Sequence, residues 1–205
     1  MKLGIFGGSF DPPHCAHLIL AAEAHFQLAL DRVLWVLTPF PPHKQFDYIT
    51  PWSHRLEMLE VIIKGDPDFD ISRADIDRPA PHYALDTMRS LREEYPDEEL
   101  IYLMGGDSLH DLPEWHHPLK FIEICDGLGV MRRPGDRIDL SILEDMLPGV
   151  AEKVRFIDTP LIDISASQIR KRVATGAPYR YYVPQAIYQI IKKYNLYMKG
   201  NHQTE

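Results

Sequence analysis

Two histidines near the start of the chain stand three residues apart, directly after a run of glycine and turn-forming residues. The segment reads Gly7-Gly8-Ser9-Phe10-Asp11-Pro12-Pro13-His14-Cys15-Ala16-His17. Glycine lets backbone N–H groups approach a polyphosphate closely, and histidine N–H groups can donate to phosphate oxygens as charge develops on them. A metal site would need further ligands of matching type, and none follows at motif spacing. The pattern therefore favours a phosphate site over a metal site.

The elements on either side of this segment would position it. The short apolar run Leu3–Phe6 predicts a strand, and the Ala- and Leu-rich stretch Ala16–Leu30 predicts a helix. Strand, glycine turn and helix start is the unit with which open α/β sheets bind phosphate. The first turn of the helix supplies N–H donors that have no partner in the helix, together with partial positive charge.

Short apolar runs alternate with helical patterns along the rest of the chain, and this alternation predicts a mostly parallel sheet covered by helices. The predicted strands after the first are Val33–Leu37, Leu100–Met104, Gly129–Met131 and Val154–Ile157. The predicted helices after the first are Trp52–Ile63, Tyr83–Glu94, Leu140–Leu147, Ser165–Ala174 and Pro184–Tyr194. One long irregular stretch, Thr38–Pro51, follows a predicted strand end, where α/β proteins place ligand loops.

Composition narrows the class of protein. The 205 residues are 45% hydrophobic, which suits one globular domain, expected over 1–198 and followed by a polar tail at 199–205. A net charge of −8 argues against nucleic acid as a partner, whereas local basic spots at Arg132-Arg133 and Arg170-Lys171-Arg172 suit a small anionic ligand. Two cysteines, an N-terminus without a signal-peptide pattern and no membrane-length apolar run predict a cytoplasmic protein with no membrane partner.

Residues 7–17 resemble the GG(S/T)FDPxHxGH signature of the HxGH nucleotidyltransferases, and the chain resembles the bacterial nicotinate-nucleotide adenylyltransferases within them. The family pattern has glycine where this chain has Ala16. The resemblance implies a Rossmann-like α/β fold, with a doubly wound, mostly parallel sheet and helices on both faces. It also implies that His14 and His17 act at the α-phosphate of ATP, and that ATP is bound by Gly7, Gly8, Ser9, Phe10 and His17. Ser9 would in addition contact the phosphate of a mononucleotide substrate.

A second phosphate-binding segment lies near the other end of the chain. Ile164-Ser165-Ala166-Ser167-Gln168-Ile169-Arg170 resembles the family's ISSTxIR signature. The resemblance implies ATP contacts from Ile164, Ser165, Ser167 and Arg170, with Arg170 also serving catalysis at the β- and γ-phosphates. Ser165 and Gln168 also satisfy a helix capping box, and the two interpretations are compatible because a capped helix start is itself an anion site.

The middle of the chain carries weaker matches. On the residues alone, Lys44 is best explained as a solvated loop lysine, Asp107 as a helix N-cap and Trp115 as a packing residue. The resemblance assigns them ligand contacts, together with neighbours in the same segments. It implies ATP contacts from Gly105 and Asp107, and mononucleotide contacts from Lys44, Tyr83, Thr87, Trp115, Arg132 and Arg133. The sequence does not indicate which of Arg132 and Arg133 faces the ligand.

The resemblance implies transfer of the adenylyl group of ATP to nicotinate mononucleotide, giving deamido-NAD and pyrophosphate in NAD biosynthesis. Mg²⁺ is expected to arrive with ATP and keep most of its waters, so no protein side chain is assigned to a metal. Three alternatives stay open: preference for nicotinamide mononucleotide, another adenylyltransferase such as one acting on pantetheine phosphate, and a nucleotide-sensing module without turnover. Assembly into a homo-oligomer is also open.

Overall fold

Six parallel strands form one sheet, in the order β3-β2-β1-β4-β5-β6, in a computed structural model that describes residues 1–41, 49–132 and 138–199. The central strand β1 pairs with β2 through Gly4 and Val33, and with β4 through Gly4 and Ile101. The strands are β1 (Lys2–Gly8), β2 (Arg32–Leu37), β3 (Phe69–Ser72), β4 (Glu99–Gly105), β5 (Gly127–Arg132) and β6 (Val154–Asp158). This is the strand order of a doubly wound sheet, so the predicted Rossmann-like α/β class is confirmed.

Helices cover both faces of the sheet within the described residues. They are α1 (Cys15–Gln27), α2 (Trp52–Ile63), α3 (Ala84–Glu94), α4 (Gly106–His110), α5 (Pro118–Ile124), α6 (Leu140–Met146), α7 (Val150–Lys153), α8 (Ala166–Thr175) and α9 (Gln185–Lys193). One apolar cluster joins α1 and α2 to the sheet through residues such as Ala24 and Leu59. Another joins α3, α5 and α6 to the opposite face through residues such as Met88 and Phe121.

A third apolar cluster lies beyond α2 and fixes the last helices. Met58 of α2 packs with Ile169 of α8 and Ile187 of α9. Because α2 also packs on the sheet, this cluster ties the start of α8 to the sheet edge at which β1 ends.

The predicted element boundaries mostly hold to within two residues. The largest shift is at α1, which begins at Cys15 and ends at Gln27 rather than at Leu30, because Ala29 has a left-handed φ of 48° that stops the helix. The sequence did not predict β3, α5 or α7, which are four to seven residues long. Elements this short give too few repeats for a hydrophobic period to stand out.

Every helix in the described part of the chain is too short or too polar to cross a lipid bilayer. Most of the predicted polar tail, from residue 200 onward, lies outside the described residues, as does the stretch 42–48 that carries Lys44.

Candidate active site

A cavity of about 670 Å³ opens where the sheet reverses its direction of growth, at the carboxyl ends of β1 and β4. In doubly wound sheets this crevice is the usual ligand site, because the loops after the two central strands diverge there. Seven of the predicted site residues line it: Gly7, Gly8, Ser9, Tyr83, Thr87, Gly105 and Trp115. The cavity therefore unites residues from four separate segments of the sequence.

The β1–α1 loop, residues 9–14, leaves the cavity and leads to α1. Phe10 has a left-handed φ of 45°, and its buried ring packs edge-on against Phe6 and His17. A Cβ added to Gly8 would lie 3.0 Å from the Phe10 ring, so the close turn requires glycine at this position. The packed ring under the loop holds the backbone where the histidines begin.

His14 and His17 form a stacked pair at the start of α1. Their ring centroids are 3.7 Å apart, and the backbone N–H of His14 donates to Nδ1 of His17 over 3.1 Å. Since Nδ1 accepts this bond, a neutral His17 carries its proton on Nε2. The backbone thus selects the tautomer in which His17 offers an N–H donor at the outer nitrogen of the ring.

Both imidazoles are neutral in the ligand-free protein near pH 7. Burial lowers the pKa of His14 to about 4. Burial, with the neighbouring His14 as a second cause, holds the pKa of His17 well below its usual range. Burial disfavours the charged form because the interior solvates an ion poorly. The pair therefore presents N–H donors without a fixed charge, until an anion binds beside it and favours protonation.

The start of α8 supplies polar groups on the other side of the β1–α1 loop. Ser165 caps the helix by accepting from the backbone N–H of Gln168 at 3.2 Å, so the capping interpretation is confirmed for that half of the box. Arg170 donates to the backbone carbonyl of Asp11 at 2.7 Å and to Oγ of Ser167 at 3.2 Å. These contacts bring the first and last predicted phosphate segments together, although they are 159 positions apart. Ile164 packs at the rim of the third apolar cluster.

A buried carboxylate that the sequence did not reveal organises one wall of the cavity. Asp75 is only 1% exposed and accepts from the Thr87 hydroxyl at 2.6 Å, the Thr38 hydroxyl at 3.1 Å and the Arg78 guanidinium at 2.9 Å. The Thr87 proton is thereby committed to Asp75. Toward a ligand, Thr87 presents only acceptor lone pairs, which suit a hydroxyl group better than an anion.

Aromatic rings form much of the remaining wall. Trp115 packs against Phe121 at a centroid distance of 5.2 Å and against Tyr102 at 6.0 Å. Tyr83 stacks on His116 at 4.0 Å. The Nδ1 atoms of His82, in this wall, and of His14 are buried without a hydrogen-bond partner among the described residues. Unpartnered buried nitrogens of this kind often mark ligand sites.

Two predicted residues stand away from the cavity wall. Asp107 is exposed in the first turn of α4, and its expected N-cap position is wrong: Gly105 is the N-cap, because the helix begins two residues earlier than the pattern suggested. Arg132, at the carboxyl end of β5, is turned to β6: it pairs with Asp158 at 2.6 Å and lies over the Phe156 ring. Lys44 and Arg133 lie outside the described residues.

The donor set of the site suits phosphate better than a metal ion. Among residues 1–41, 49–132 and 138–199, no group of three or more His, Cys, Asp or Glu side chains converges closely enough to hold a metal. The groups near the β1–α1 loop are imidazoles, a guanidinium and hydroxyls, which bind anions. A Mg²⁺ ion in this site would take its ligands from bound phosphates and water.

Comparison with known proteins finds relatives over nearly the whole chain. The family model described as cytidylyltransferase-like matches residues 5–172. A curated protein of Thermomicrobium roseum, named "Probable nicotinate-nucleotide adenylyltransferase", is 47% identical over 96% of this chain and 91% of its own length. A protein of the same name from Exiguobacterium sibiricum is 38% identical over 96% of this chain and 99% of its own.

Solved structures show the same fold. The Plasmodium falciparum nicotinic acid mononucleotide adenylyltransferase complexed with APC superposes with a TM-score of 0.76 at 24% identity, covering 96% of each chain. The strand order and the match over residues 5–172 define a cytidylyltransferase-like nucleotidyltransferase; within that class, the chain belongs to the nicotinate-nucleotide adenylyltransferase family.

Proposed function

We propose that this protein transfers the adenylyl group of ATP to nicotinate mononucleotide, forming deamido-NAD and releasing pyrophosphate in NAD biosynthesis. The observation that carries the proposal is the continuity of the two half-sites. The cavity, large enough for a mononucleotide, is lined by Gly7 and Gly8 at the end of β1 and by Ser9, where the β1–α1 loop begins and leads to the stacked His14 and His17. One substrate phosphate in the cavity and one triphosphate on the loop would meet at that junction.

The chemistry needs no protein nucleophile. An oxygen of the mononucleotide 5′-phosphate attacks the α-phosphorus of ATP, the new O–P bond forms in line, and the bond to the β-phosphate breaks to release pyrophosphate. Catalysis then rests on positioning and on stabilising the charge that develops on the α-phosphate. The Nε2–H of His17 and the N–H groups at the start of α1 are donors for that charge.

The outer phosphates of ATP are assigned to the second segment. Ser165, Ser167 and Arg170 lie beside the β1–α1 loop, since Arg170 already reaches the carbonyl of Asp11. A bound triphosphate would compete for the Arg170 guanidinium, whose fork of donors suits phosphate oxygens. Mg²⁺, bound with ATP, would neutralise part of the charge on these phosphates. Ile164, Phe10, Gly105 and Asp107 complete the proposed ATP contacts.

The mononucleotide is assigned to the cavity. The proposed contacts are stacking of the pyridine ring on Trp115, contacts from Tyr83 and Thr87, and phosphate contacts from Ser9, Lys44 and one of Arg132 and Arg133. A positively charged pyridinium ring suits an aromatic wall. We further propose that residues 1–198 act as one nucleotidyltransferase domain and that the reaction takes place in the cytoplasm.

The decisive experiment measures pyrophosphate release from ATP and Mg²⁺ with nicotinate mononucleotide and nicotinamide mononucleotide in parallel. Strong preference for nicotinate mononucleotide is expected. Preference for the amide would overturn the substrate and retain the chemistry. Release only with phosphopantetheine would point to another adenylyltransferase, and ATP binding without any release would identify a sensing module.

A second measurement locates ATP independently of turnover. Cys15 is partly buried at the first position of α1, between the two histidines. ATP is expected to slow its alkylation, while Cys125, fully buried elsewhere, serves as the internal control. Equal rates at Cys15 with and without ATP would place the nucleotide elsewhere.

A further inference from the structure

A fully buried arginine lies behind the β1–α1 loop. Arg55 of α2 is 0% exposed. Its Nε donates to the carbonyl of Thr50 at 2.7 Å, Nη1 to the carbonyls of Ser9 at 2.7 Å and Thr38 at 3.0 Å, and Nη2 to the carbonyl of Pro39 at 2.6 Å. Within the described residues, the partners of this guanidinium are backbone carbonyls rather than carboxylates.

These four carbonyls belong to three different segments of the site. Ser9 begins the β1–α1 loop, Thr38 and Pro39 follow β2, and Thr50 precedes α2. Ser9 and Thr38 also line the cavity. One rigid, planar group therefore fixes the backbone of the proposed ATP side relative to that of the proposed mononucleotide side, and a flexible point charge such as lysine cannot reproduce this fork.

The far end of the chain holds the same loop through a different residue. Asp11 is buried, and its carboxylate accepts from the Tyr197 hydroxyl at 2.7 Å and from the backbone N–H of Thr50 at 3.3 Å. The positive charge of Arg55 and the negative charge of Asp11 attract each other, which offsets part of the burial cost of both. Burial lowers the pKa of Arg55 to about 10, so it stays protonated at neutral pH.

We propose that Arg55 and Tyr197 are positioning residues, which hold the β1–α1 loop in the register that aligns the two substrates for in-line attack. Neither residue contacts a ligand in this proposal: Arg55 acts through the carbonyls of Ser9 and Thr38, and Tyr197 acts through Asp11. The proposal rests on the proposed function, because alignment matters only if two phosphates react at this junction. A displacement of about 1 Å in a reacting pair can cost about 100-fold in rate.

The first test is Arg55→Lys, with Arg92→Lys as the matched control. Arg92 also bridges backbone carbonyls, those of Tyr95 and Glu98, and in addition pairs with the Asp126 carboxylate, but it lies at the opposite end of the sheet, before β4 begins. Both variants lose arginine hydrogen bonds and are expected to have a lower Tm. Measured well below each Tm, kcat of Arg55→Lys should fall about 30- to 100-fold, with KM for either substrate changed less than about threefold. Equal kcat per folded molecule in the two variants would reduce Arg55 to a structural residue and overturn the proposal.

Tyr197→Phe tests the proposed role of Tyr197 without a change of charge or ring volume. It is informative even if Arg55→Lys does not fold. Tyr182→Phe is the control, since Tyr182 packs at the rim of the third apolar cluster. Tyr197→Phe should lower kcat about three- to tenfold and lower Tm modestly, because the buried Asp11 carboxylate loses its hydroxyl donor. A kcat equal to that of Tyr182→Phe would exclude Tyr197 from positioning.

A readout without turnover separates this proposal from the function on which it rests. Alkylation of Cys15 in the ligand-free protein reports how firmly the loop and the start of α1 are held. The rate should rise several-fold in Arg55→Lys and not in Arg92→Lys. If wild-type protein turns over no mononucleotide, the proposed function fails, while a faster alkylation still supports the loop-holding contact. Unchanged alkylation together with unchanged kcat would refute the positioning residues alone.

Discussion

The β1–α1 loop and the cavity beside it handle charge in opposite ways. At the loop, the fixed charges of Arg55 and Asp11 are buried behind the backbone, the imidazoles of His14 and His17 are neutral, and the half-buried Arg170 guanidinium supplies positive charge. In the cavity, the walls are aromatic and include the carboxylates of Asp75, Asp111 and Glu114.

This difference matches the two ends of the proposed chemistry. A polyphosphate brings its own negative charge and is bound by preorganised donors, whereas a pyridinium ring is positive and favours aromatic faces with acidic groups nearby. The loop thus suits a negatively charged ligand, and the cavity suits a positively charged one. Variants in one region therefore test whether the other region is affected.

The largest effect is expected from His17→Ala. It removes the Nε2–H donor that we propose acts at the α-phosphate, and it should lower kcat about 100- to 1,000-fold, the loss typical of one transition-state donor. Steady-state kinetics measure kcat, and a thermal melt checks that the fold is intact. The control is His25→Ala, in the last turn of the same helix. Turnover close to that of His25→Ala would remove His17 from the chemistry.

Acid should lower the stability of the folded protein, because His14 at the start of α1 resists protonation while it is buried. His14 titrates at about 4 in the folded protein and near 6.5 when unfolded, so the unfolded chain takes up the proton first. The free energy of unfolding should therefore be unaffected above about pH 7 and fall by about 3 kcal/mol as the pH drops from 6.5 to 4. Urea unfolding across this range measures it, and His14→Asn should lose this share of the pH dependence. An identical slope in the variant would show that other groups cause it.

Trp115→Ala should affect the cavity alone. Losing an aromatic partner of about 1 to 1.5 kcal/mol predicts a rise of about tenfold in KM for the mononucleotide. The KM for ATP in the same variant is the internal control and should stay within about twofold. A parallel rise in both constants would mean that the ring supports the whole site by packing on Tyr102 and Phe121.

The smallest effect is expected from Gly105→Ala, at the boundary between the two regions. An added Cβ would meet no atom within 4 Å, and the φ of Gly105 is not left-handed, so Tm should fall only slightly, through the poorer N-cap that alanine makes for α4. If the nucleotide approaches this backbone, the methyl group should raise KM for ATP about fivefold, a crowding cost of roughly 1 kcal/mol. An unchanged KM would withdraw Gly105 from the ATP site.

The sequence predicted the fold well because most strands here are buried runs of apolar residues. Strand β3 escaped prediction because it is a four-residue edge strand, with Asp70 and Ser72 interrupting its apolar residues. The β1–α1 loop could be predicted because its chemistry lies in one contiguous segment. Its neutral imidazoles could not, since the pKa of His14 depends on burial by the folded chain.

Residues that act behind the site were harder to predict, for two different reasons. Arg55 left a readable signal, because it shares a helical face with the buried Met58 and Leu59, where a charged residue is out of place. Asp75 left none, since its importance depends on Thr38, Arg78 and Thr87 converging from elsewhere in the fold. The spacing of a motif does not encode such tertiary contacts.

The hydrogen bond between Tyr197 and Asp11 joins residues 186 positions apart. During translation the β1–α1 loop is made well before its tyrosine anchor. A nascent chain thus carries its phosphate-binding motif, while the 186 residues from Asp11 to Tyr197 are added, without the hydroxyl that holds the motif in place. On the positioning proposal, a chain truncated before Tyr197 would hold the loop less firmly and turn over more slowly.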